Sequence, residues 1–258
     1  MDFTSETATN GVLERVFDLN VGGERVPGVI WSPLDASGGR PLVLMGHGGS
    51  QHKKFVGLVA RAQRYVTAFG FAVAAIDAPG HGDRVPSEEV SQFVAEIRER
   101  FANGRPVGEV VAREMARQAT IAVPEWRATL DAVQALDVVG EKGPVGYWGV
   151  SMGGAIGVPL LAAEPRITAA VIGLAGLLPD HVALAEAAAR ITVPVEFVLQ
   201  WNDELVSRDS SIALFDALGS QEKTLHANVG GHVGIPPFES ESWERFFARH
   251  LGPGLEAQ

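Results

Sequence analysis

Apolar runs of strand length alternate along the chain with segments in which apolar residues recur every three or four positions. Apolar runs typical of strands buried on both faces lie at 41–45, 71–76 and 145–148. Further strands are predicted at 168–174, 194–199 and 222–227, and helices at 54–69, 180–190, 207–218 and 239–251. This alternation predicts an α/β fold with a mostly parallel sheet, helices on both faces and right-handed crossovers.

The start of the chain has a different pattern. Residues 1–10 are polar, and we expect a frayed tail there. Residues 12–19 and 24–31 predict two strands, joined by a turn in which Gly22 and Gly23 adopt positive φ at little cost. This antiparallel hairpin brings the expected sheet to eight strands.

An excess of sequence lies between the turn that follows 71–76 and the run at 145–148. Ser87 begins a predicted helix, 103–106 interrupts it, a second helix follows, and Pro124 suits the first position of a third. We therefore expect one domain over 1–258, with 84–123 as a helical cap over the strand ends, where α/β sites lie. The alternative is an ordinary extra helical layer on the sheet edge.

The segment Gly149-Val150-Ser151-Met152-Gly153 separates an apolar run from a helix-like run. Strand, sharp turn and helix with a serine at the apex are typical of a nucleophile elbow, in which small neighbours let strand and helix pass closely. A serine hydroxyl is a weak nucleophile and needs an adjacent base that a third group orients. Ser151 is therefore the candidate nucleophile.

Two later strand ends supply candidates for the base and the acid. Asp203 follows the strand at 194–199, and His232 follows the last strand after two glycines. The order serine, aspartate, histidine is the one associated with the nucleophile elbow. We expect His232 to take the proton of Ser151 and later give it to the leaving group. We expect Asp203 to orient the imidazole.

Other residues compete for these roles. Glu204 adjoins Asp203, but successive side chains point apart, and Asp180 follows an earlier strand. His226 lies within the last predicted strand, where a packing role is expected.

Acyl transfer also needs donors for the developing oxyanion. The backbone N–H of Met152 is one candidate, and Gly49 is the best candidate in the loop after 41–45, with Ser50 next. Ser50 and Trp201 are candidates for contact with substrate, and His47 is expected to brace its loop.

A metal or cofactor site is not expected. Asp77 and His81 are interpreted as structural residues of a Pro-Gly turn. With His47 they follow separate strands without the close spacing of metal ligands. No phosphate loop or dinucleotide-binding glycine motif is present.

Composition narrows the classes of partner. The formal net charge of −10 argues against a nucleic acid as binding partner. It also gives no reason to expect binding to an anionic membrane. The chain has no cysteine, hence no disulfide or thiolate metal site. No signal peptide is visible and no apolar stretch approaches membrane-spanning length, so we expect a cytoplasmic protein.

The chain resembles the α/β-hydrolase superfamily over nearly its whole length. The resemblance rests on the loop His47-Gly48-Gly49-Ser50, the turn 77–82, the elbow 149–154, and the spaced Asp203 and His232. It is similar to dienelactone-hydrolase-like and acyl-peptidase-like esterases, although it has serine where dienelactone hydrolase has cysteine, and its insertion precedes the elbow strand.

The leading hypothesis is a serine hydrolase that cleaves a small-molecule carboxylic ester through an acyl-enzyme. A thioesterase, lactonase or amide hydrolase with the same triad is the alternative, and a non-catalytic binding protein is a third. The sequence does not distinguish among leaving groups, since the same acyl chemistry serves all of them.

Overall fold

The computed structural model describes residues 1–35 and 38–252. Within them the strands are β1 (Asp2–Thr9), β2 (Val12–Val21), β3 (Glu24–Pro33), β4 (Leu42–Gly46), β5 (Ala72–Ile76), β6 (Val145–Val150), β7 (Ile167–Gly173), β8 (Val195–Gln200) and β9 (Lys223–Asn228). The helices are α1 (Val56–Phe69), α2 (Glu88–Ala102), α3 (Gly108–Gln134), α4 (Met152–Ala163), α5 (Val182–Arg190), α6 (Arg208–Ala217) and α7 (Phe238–Leu251). The predicted α/β class is confirmed.

One sheet holds the nine described strands, in the order β1-β2-β3-β5-β4-β6-β7-β8-β9. The six strands β5-β4-β6-β7-β8-β9 are parallel to their neighbours. The strands β1, β2 and β3 extend the sheet in antiparallel fashion. The carboxyl ends of parallel strands share one edge, so the loops after β4, β6, β8 and β9 gather there.

Successive residues of the central strands pack on opposite faces of the sheet. In β4, Leu42 and Leu44 belong to the apolar cluster beneath α3 to α6, while Val43 and Met45 belong to the cluster beneath α1 and α7. This period of two, with helices on both sides, explains why the strand reads as a continuous apolar run.

The sheet has nine strands rather than the predicted eight, because residues 2–9 form β1 instead of a frayed tail. Every residue of β1 is exposed, so no buried face imposed an apolar pattern. Pairing with β2 orders the segment, and the Arg15 guanidinium lies 4.4 Å from the ring centroid of Phe3. The strand depends on main-chain hydrogen bonds that composition does not reveal.

The insertion 84–123 contains α2 and the first part of α3. Ser87 is the N-cap of α2, as expected, and its side chain accepts a hydrogen bond from the N–H of Val90. The prediction of a separate third helix at Pro124 is wrong, since α3 runs through that proline. The buried face of α3 continues from Ala122 to Trp126, and this packing outweighs the lost backbone hydrogen bond.

Among the described helices, none combines the length and apolar character needed to cross a bilayer.

Candidate active site

Ser151 lies at a sharp turn between the end of β6 and the first residue of α4. Its backbone has φ 59° and ψ −121°, a strained conformation for an L-residue that costs of order 1–3 kcal/mol. The surrounding structure holds this strain, partly because the Ser151 N–H donates to the carbonyl of Gly173 at 2.9 Å. The turn therefore presents the hydroxyl at the carboxyl edge of the sheet.

Glycines permit the close passage of β4, β6 and α4 at this turn. A Cβ at Gly153 would lie 2.3 Å from the carbonyl oxygen of Gly46, and one at Gly149 would lie 2.6 Å from the carbonyl oxygen of Gly153. The buried Tyr147 hydroxyl donates to that same Gly153 carbonyl at 2.7 Å. No larger residue fits either position without moving the backbone.

The three residues predicted for a triad meet in space. The Ser151 Oγ atom lies 2.7 Å from Nε2 of His232, and Nδ1 of His232 lies 2.7 Å from Oδ2 of Asp203. His232 is 7% exposed, so its ring is held largely out of water. With Nδ1–H donating to the carboxylate, Nε2 carries the lone pair that accepts the serine hydroxyl.

The Asp203 carboxylate is held on both oxygens. Oδ2 accepts from His232, while Oδ1 accepts from the N–H groups of Leu205 and Val206 at 2.8 and 2.9 Å. Burial raises the pKa of Asp203, but these hydrogen bonds and the imidazole outweigh it, so the pKa lies below the ordinary value. Asp203 is therefore held as a carboxylate in fixed orientation.

The other candidates for the base and the acid do not take part in the contacts among Ser151, His232 and Asp203. The Glu204 carboxylate accepts from the backbone N–H of His232 at 3.0 Å and does not bond the imidazole. Asp180 lines the wall of the adjoining cavity. His226 points to Glu239 from within β9, with Nδ1 and Oε2 separated by 2.8 Å.

The residues expected to supply oxyanion donors line the same cavity as Ser151. Met152 is the first residue of α4, so its N–H has no carbonyl partner one turn earlier. Gly49 and Ser50 lie in the loop after β4 and border the same cavity as Ser151, and among the described residues neither of their N–H groups donates to the protein. These amides are free to bind an incoming oxygen.

His47 braces the loop that carries Gly49. Its Nε2 accepts the N–H of Ala78 at 3.0 Å, and its Nδ1 lies 2.8 Å from the carbonyl of Gly48. Burial lowers the pKa of His47 to about 4, against the hydrogen bond to Gly48. The imidazole is therefore neutral and joins the loops after β4 and β5.

Asp77 forms a buried ion pair that the sequence analysis missed. Its carboxylate accepts both the backbone N–H and the ammonium of Lys53, at 2.8 and 2.7 Å, and Oδ2 also accepts the N–H of Asp83. The Lys53 and Asp77 side chains are 3% and 0% exposed. Asp77 thus ties the loops after β4 and β5, whereas His81 lies on the cavity wall.

A cavity of about 1640 Å³ extends from Ser151 and His232 beneath the insertion. Ser50, Ser151 and His232 lie on its wall, and α2 and α3 contribute Phe93, Ile97, Val111 and Met115. Ligand sites are usually about 300–1,000 Å³ and mostly apolar, so this cavity is large for one small ligand. Trp201, the other candidate for substrate contact, is 46% exposed beneath the Arg208 guanidinium and is not part of this wall.

A strained serine elbow on a parallel sheet, backed by a buried imidazole and carboxylate, defines the class of α/β hydrolases. A cold-adapted esterase from an Arctic intertidal metagenomic library, in its PEG-bound form, is 36% identical, with a TM-score of 0.78 over 97% of this chain and 100% of its own.

At lower sequence identity, the similarity to other solved structures shows the fold only. An acetyl xylan esterase from a Paenibacillus species is 15% identical, with a TM-score of 0.67 over 97% of this chain and 88% of its own. Another, from a Thermoanaerobacterium species, is 16% identical, with a TM-score of 0.69 over 95% and 86%. No protein-family model and no curated protein sequence matches the chain.

The chain belongs to the α/β-hydrolase superfamily and is a carboxylesterase-like serine hydrolase. The resemblance inferred from its motifs is confirmed.

Proposed function

We propose that Ser151, His232 and Asp203 form a catalytic triad and that the protein cleaves carboxylic esters through an acyl-enzyme. The observation that carries the proposal is the continuous relay from Ser151 Oγ through the imidazole to Asp203, with 2.7 Å at each step. The relay borders a cavity large enough for a substrate, so the hydroxyl can meet an ester carbonyl.

In the first half-reaction Ser151 Oγ bonds to the acyl carbon while its proton moves to Nε2 of His232. Asp203 stabilises the imidazolium that results, without taking its proton. The N–H groups of Met152 and of Gly49 receive the oxyanion. The carbon–oxygen bond to the alcohol then breaks, and the Nε2 proton passes to the departing alkoxide.

In the second half-reaction water takes the place of the alcohol. Nε2 of His232 removes a proton from the water, and the water oxygen bonds to the acyl carbon. The bond to Ser151 Oγ breaks, and the serine oxygen takes the proton back from Nε2. The products are the free acid and the original enzyme, with no cofactor consumed.

The cavity supports a proposal for the substrate class. Residues of the insertion 84–123 form its roof, and their side chains toward the triad are largely apolar. We infer that the insertion is a cap and that the substrate carries an extended apolar acyl or alcohol group, because burying it against the cap lowers its free energy by roughly 0.8 kcal/mol per CH₂ group. A short acetate ester would leave most of the cavity unfilled.

Fluorophosphonate labelling followed by peptide mass spectrometry tests the nucleophile. We expect the label on Ser151 and no label in Ser151→Ala, with the thermal unfolding temperature of that variant close to that of the wild type. Ser50→Ala is the matched control, since Ser50 lies on the same cavity wall. A label that persists in Ser151→Ala and disappears in Ser50→Ala would overturn the assignment.

The leaving group is tested separately. Rates on an ester, a thioester and an amide of one acyl group compare carbonyls of different reactivity on the same triad. We expect the highest kcat/KM for the ester. A thioester or amide that is preferred after correction for its uncatalysed rate would favour the alternative activity.

A further inference from the structure

Three side chains of kinds that can ligate metals, one histidine and two glutamates, converge on the sheet face beneath α7, away from Ser151. Glu196 lies on β8, His226 on β9, and Glu239 in the first turn of α7. Nδ1 of His226 is 2.8 Å from Oε2 of Glu239 and 3.7 Å from Oε1 of Glu196. One nitrogen and two carboxylate oxygens lie within 4.8 Å of one another.

The charges of this cluster do not balance within the protein. Glu196 and Glu239 are 5% and 2% exposed, and one imidazole stands between them. Among the described residues, Oε1 of Glu196 has no hydrogen-bond partner although it is buried. A buried carboxylate oxygen without a partner costs free energy.

The two arginines beside the cluster form their ion pairs with carboxylates outside it, although Arg245 also acts electrostatically on Glu196. Arg245 and Arg249 border a small cavity of about 220 Å³ beside the cluster. They pair with Glu241 and Glu222, at 3.8 and 2.8 Å. A bound cation would therefore supply the charge that the cluster lacks.

We propose that Glu196, His226 and Glu239 bind a divalent transition metal of the Zn²⁺ class. Imidazole with two carboxylates suits Zn²⁺, whereas Mg²⁺ and Ca²⁺ prefer sets made of oxygen alone. Three protein ligands leave the fourth tetrahedral position to water from the adjoining cavity.

The surroundings of the cluster are suited to ligation. The second oxygen of Glu239 accepts the side-chain N–H of Asn228 at 2.7 Å, which fixes the orientation of the carboxylate as outer partners of metal ligands do. Zinc requires ligand distances of about 2.0–2.2 Å, so the three ligand atoms need only small movements. A metal binds the lone pair of Nδ1, so the proton on that nitrogen passes to solvent and the neutral ring keeps its proton on Nε2. Binding therefore weakens at low pH.

The metal would join α7 to β8 and β9. Glu196 is the second residue of β8 and His226 lies within β9, so the ion would stabilise the strands that precede the loops of Asp203 and His232, without touching substrate. Its role is structural, and it adds a binding site to the protein independently of the triad.

Thermal unfolding with added metal tests the proposal on the intact protein after EDTA treatment and dialysis. At saturating ZnCl₂ we expect the unfolding temperature to rise by roughly 5 °C or more, with little effect of MgCl₂. The increase should be lost in His226→Gln and in Glu196→Gln, which provides a second variant if one of them folds poorly. An equal increase in wild type and both variants, or none in wild type, would refute the site.

The triad imidazole is the obvious competing ligand. His232→Gln controls for it, because this variant should keep the zinc-dependent increase that His226→Gln loses. Anomalous diffraction at the zinc edge then locates the ion in crystals of the wild-type protein. Density between residues 196, 226 and 239 supports the proposal, and density only at His232 overturns it.

Discussion

The carboxylate of Glu204 accepts a hydrogen bond from the backbone N–H of His232, with 3.0 Å between Oε2 and N. The preceding residue, Asp203, holds the ring of the same histidine through Nδ1. Successive side chains point apart, so two adjacent carboxylates can hydrogen-bond one histidine, one at its backbone N–H and the other at its ring. The loop after β8 thus positions the loop after β9.

We predict accordingly that Glu204 positions His232. We expect Glu204→Ala to lower kcat about tenfold, since a hydrogen bond to a charged group contributes about 1.5–3 kcal/mol and part of that loss misplaces the imidazole. Glu204→Gln keeps an acceptor oxygen and should recover most of the rate. Steady-state kinetics on one ester measure both variants, with KM largely unchanged. Equal rates for Ala, Gln and wild type would show that the contact does not position His232.

Asp203 should matter far more. In Asp203→Asn the amide can donate to Nδ1, which favours the imidazole tautomer with its proton on Nε2, where Ser151 needs an acceptor. We expect kcat to fall by roughly 10³–10⁴, well beyond either Glu204 variant, with the unfolding temperature measured alongside. A loss no larger than that of Glu204→Ala would mean that another group orients the imidazole.

The insertion should control the length of the acyl group. Val111 lies on the cavity wall in α3, so Val111→Trp fills space that a long chain would occupy. On a series of p-nitrophenyl esters we expect the preferred chain to shorten, with acetate turnover within about twofold of wild type, because overpacking excludes only groups that reach the cap.

Val85→Trp is the control for this experiment. Val85 belongs to the same insertion but is 88% exposed and does not border the cavity. Its chain-length profile should match that of wild type. If both variants shift the preferred chain length equally, or neither shifts it, the cavity wall does not determine which acyl length the enzyme prefers.

The convergence of Ser151, Asp203 and His232 was predictable because each residue follows a strand whose apolar character is clear. Parallel strands bring their carboxyl ends to one edge, so Ser151, Asp203 and His232 had to lie near one another if the alternation was interpreted correctly. The elbow glycines were equally visible, since strand and helix cannot cross there around a Cβ.

Features that depend on long-range partners were not visible. β1 has no buried face, and the helix through Pro124 persists because tertiary packing outweighs a local breaker. Lys53 joins Asp77 across 24 residues of chain. His226 sits in a strand, and its two carboxylate neighbours come from separate elements, so no spacing rule connects them.

His47 should make the stability of the fold depend on pH. Its pKa is about 4 in the folded protein, lowered by burial, and about 6.5 in the unfolded chain. The unfolded state therefore binds a proton more readily, so this contribution is complete above pH 6.5 and is lost as pH falls towards 4. Between pH 7.5 and pH 5 it amounts to about 2 kcal/mol of the free energy of unfolding.

Urea unfolding at pH 7.5 and pH 5 measures this dependence. We expect the wild type to lose about 2 kcal/mol more than His47→Gln over that interval, because glutamine has no proton to gain. The exposed His52 provides a matched control, and His52→Gln should follow the wild type. If His47→Gln loses as much stability as the wild type, the buried imidazole cannot be the group that titrates. The neutral brace between Gly48 and Ala78 would then have to be reassigned, together with its role in holding the oxyanion loop.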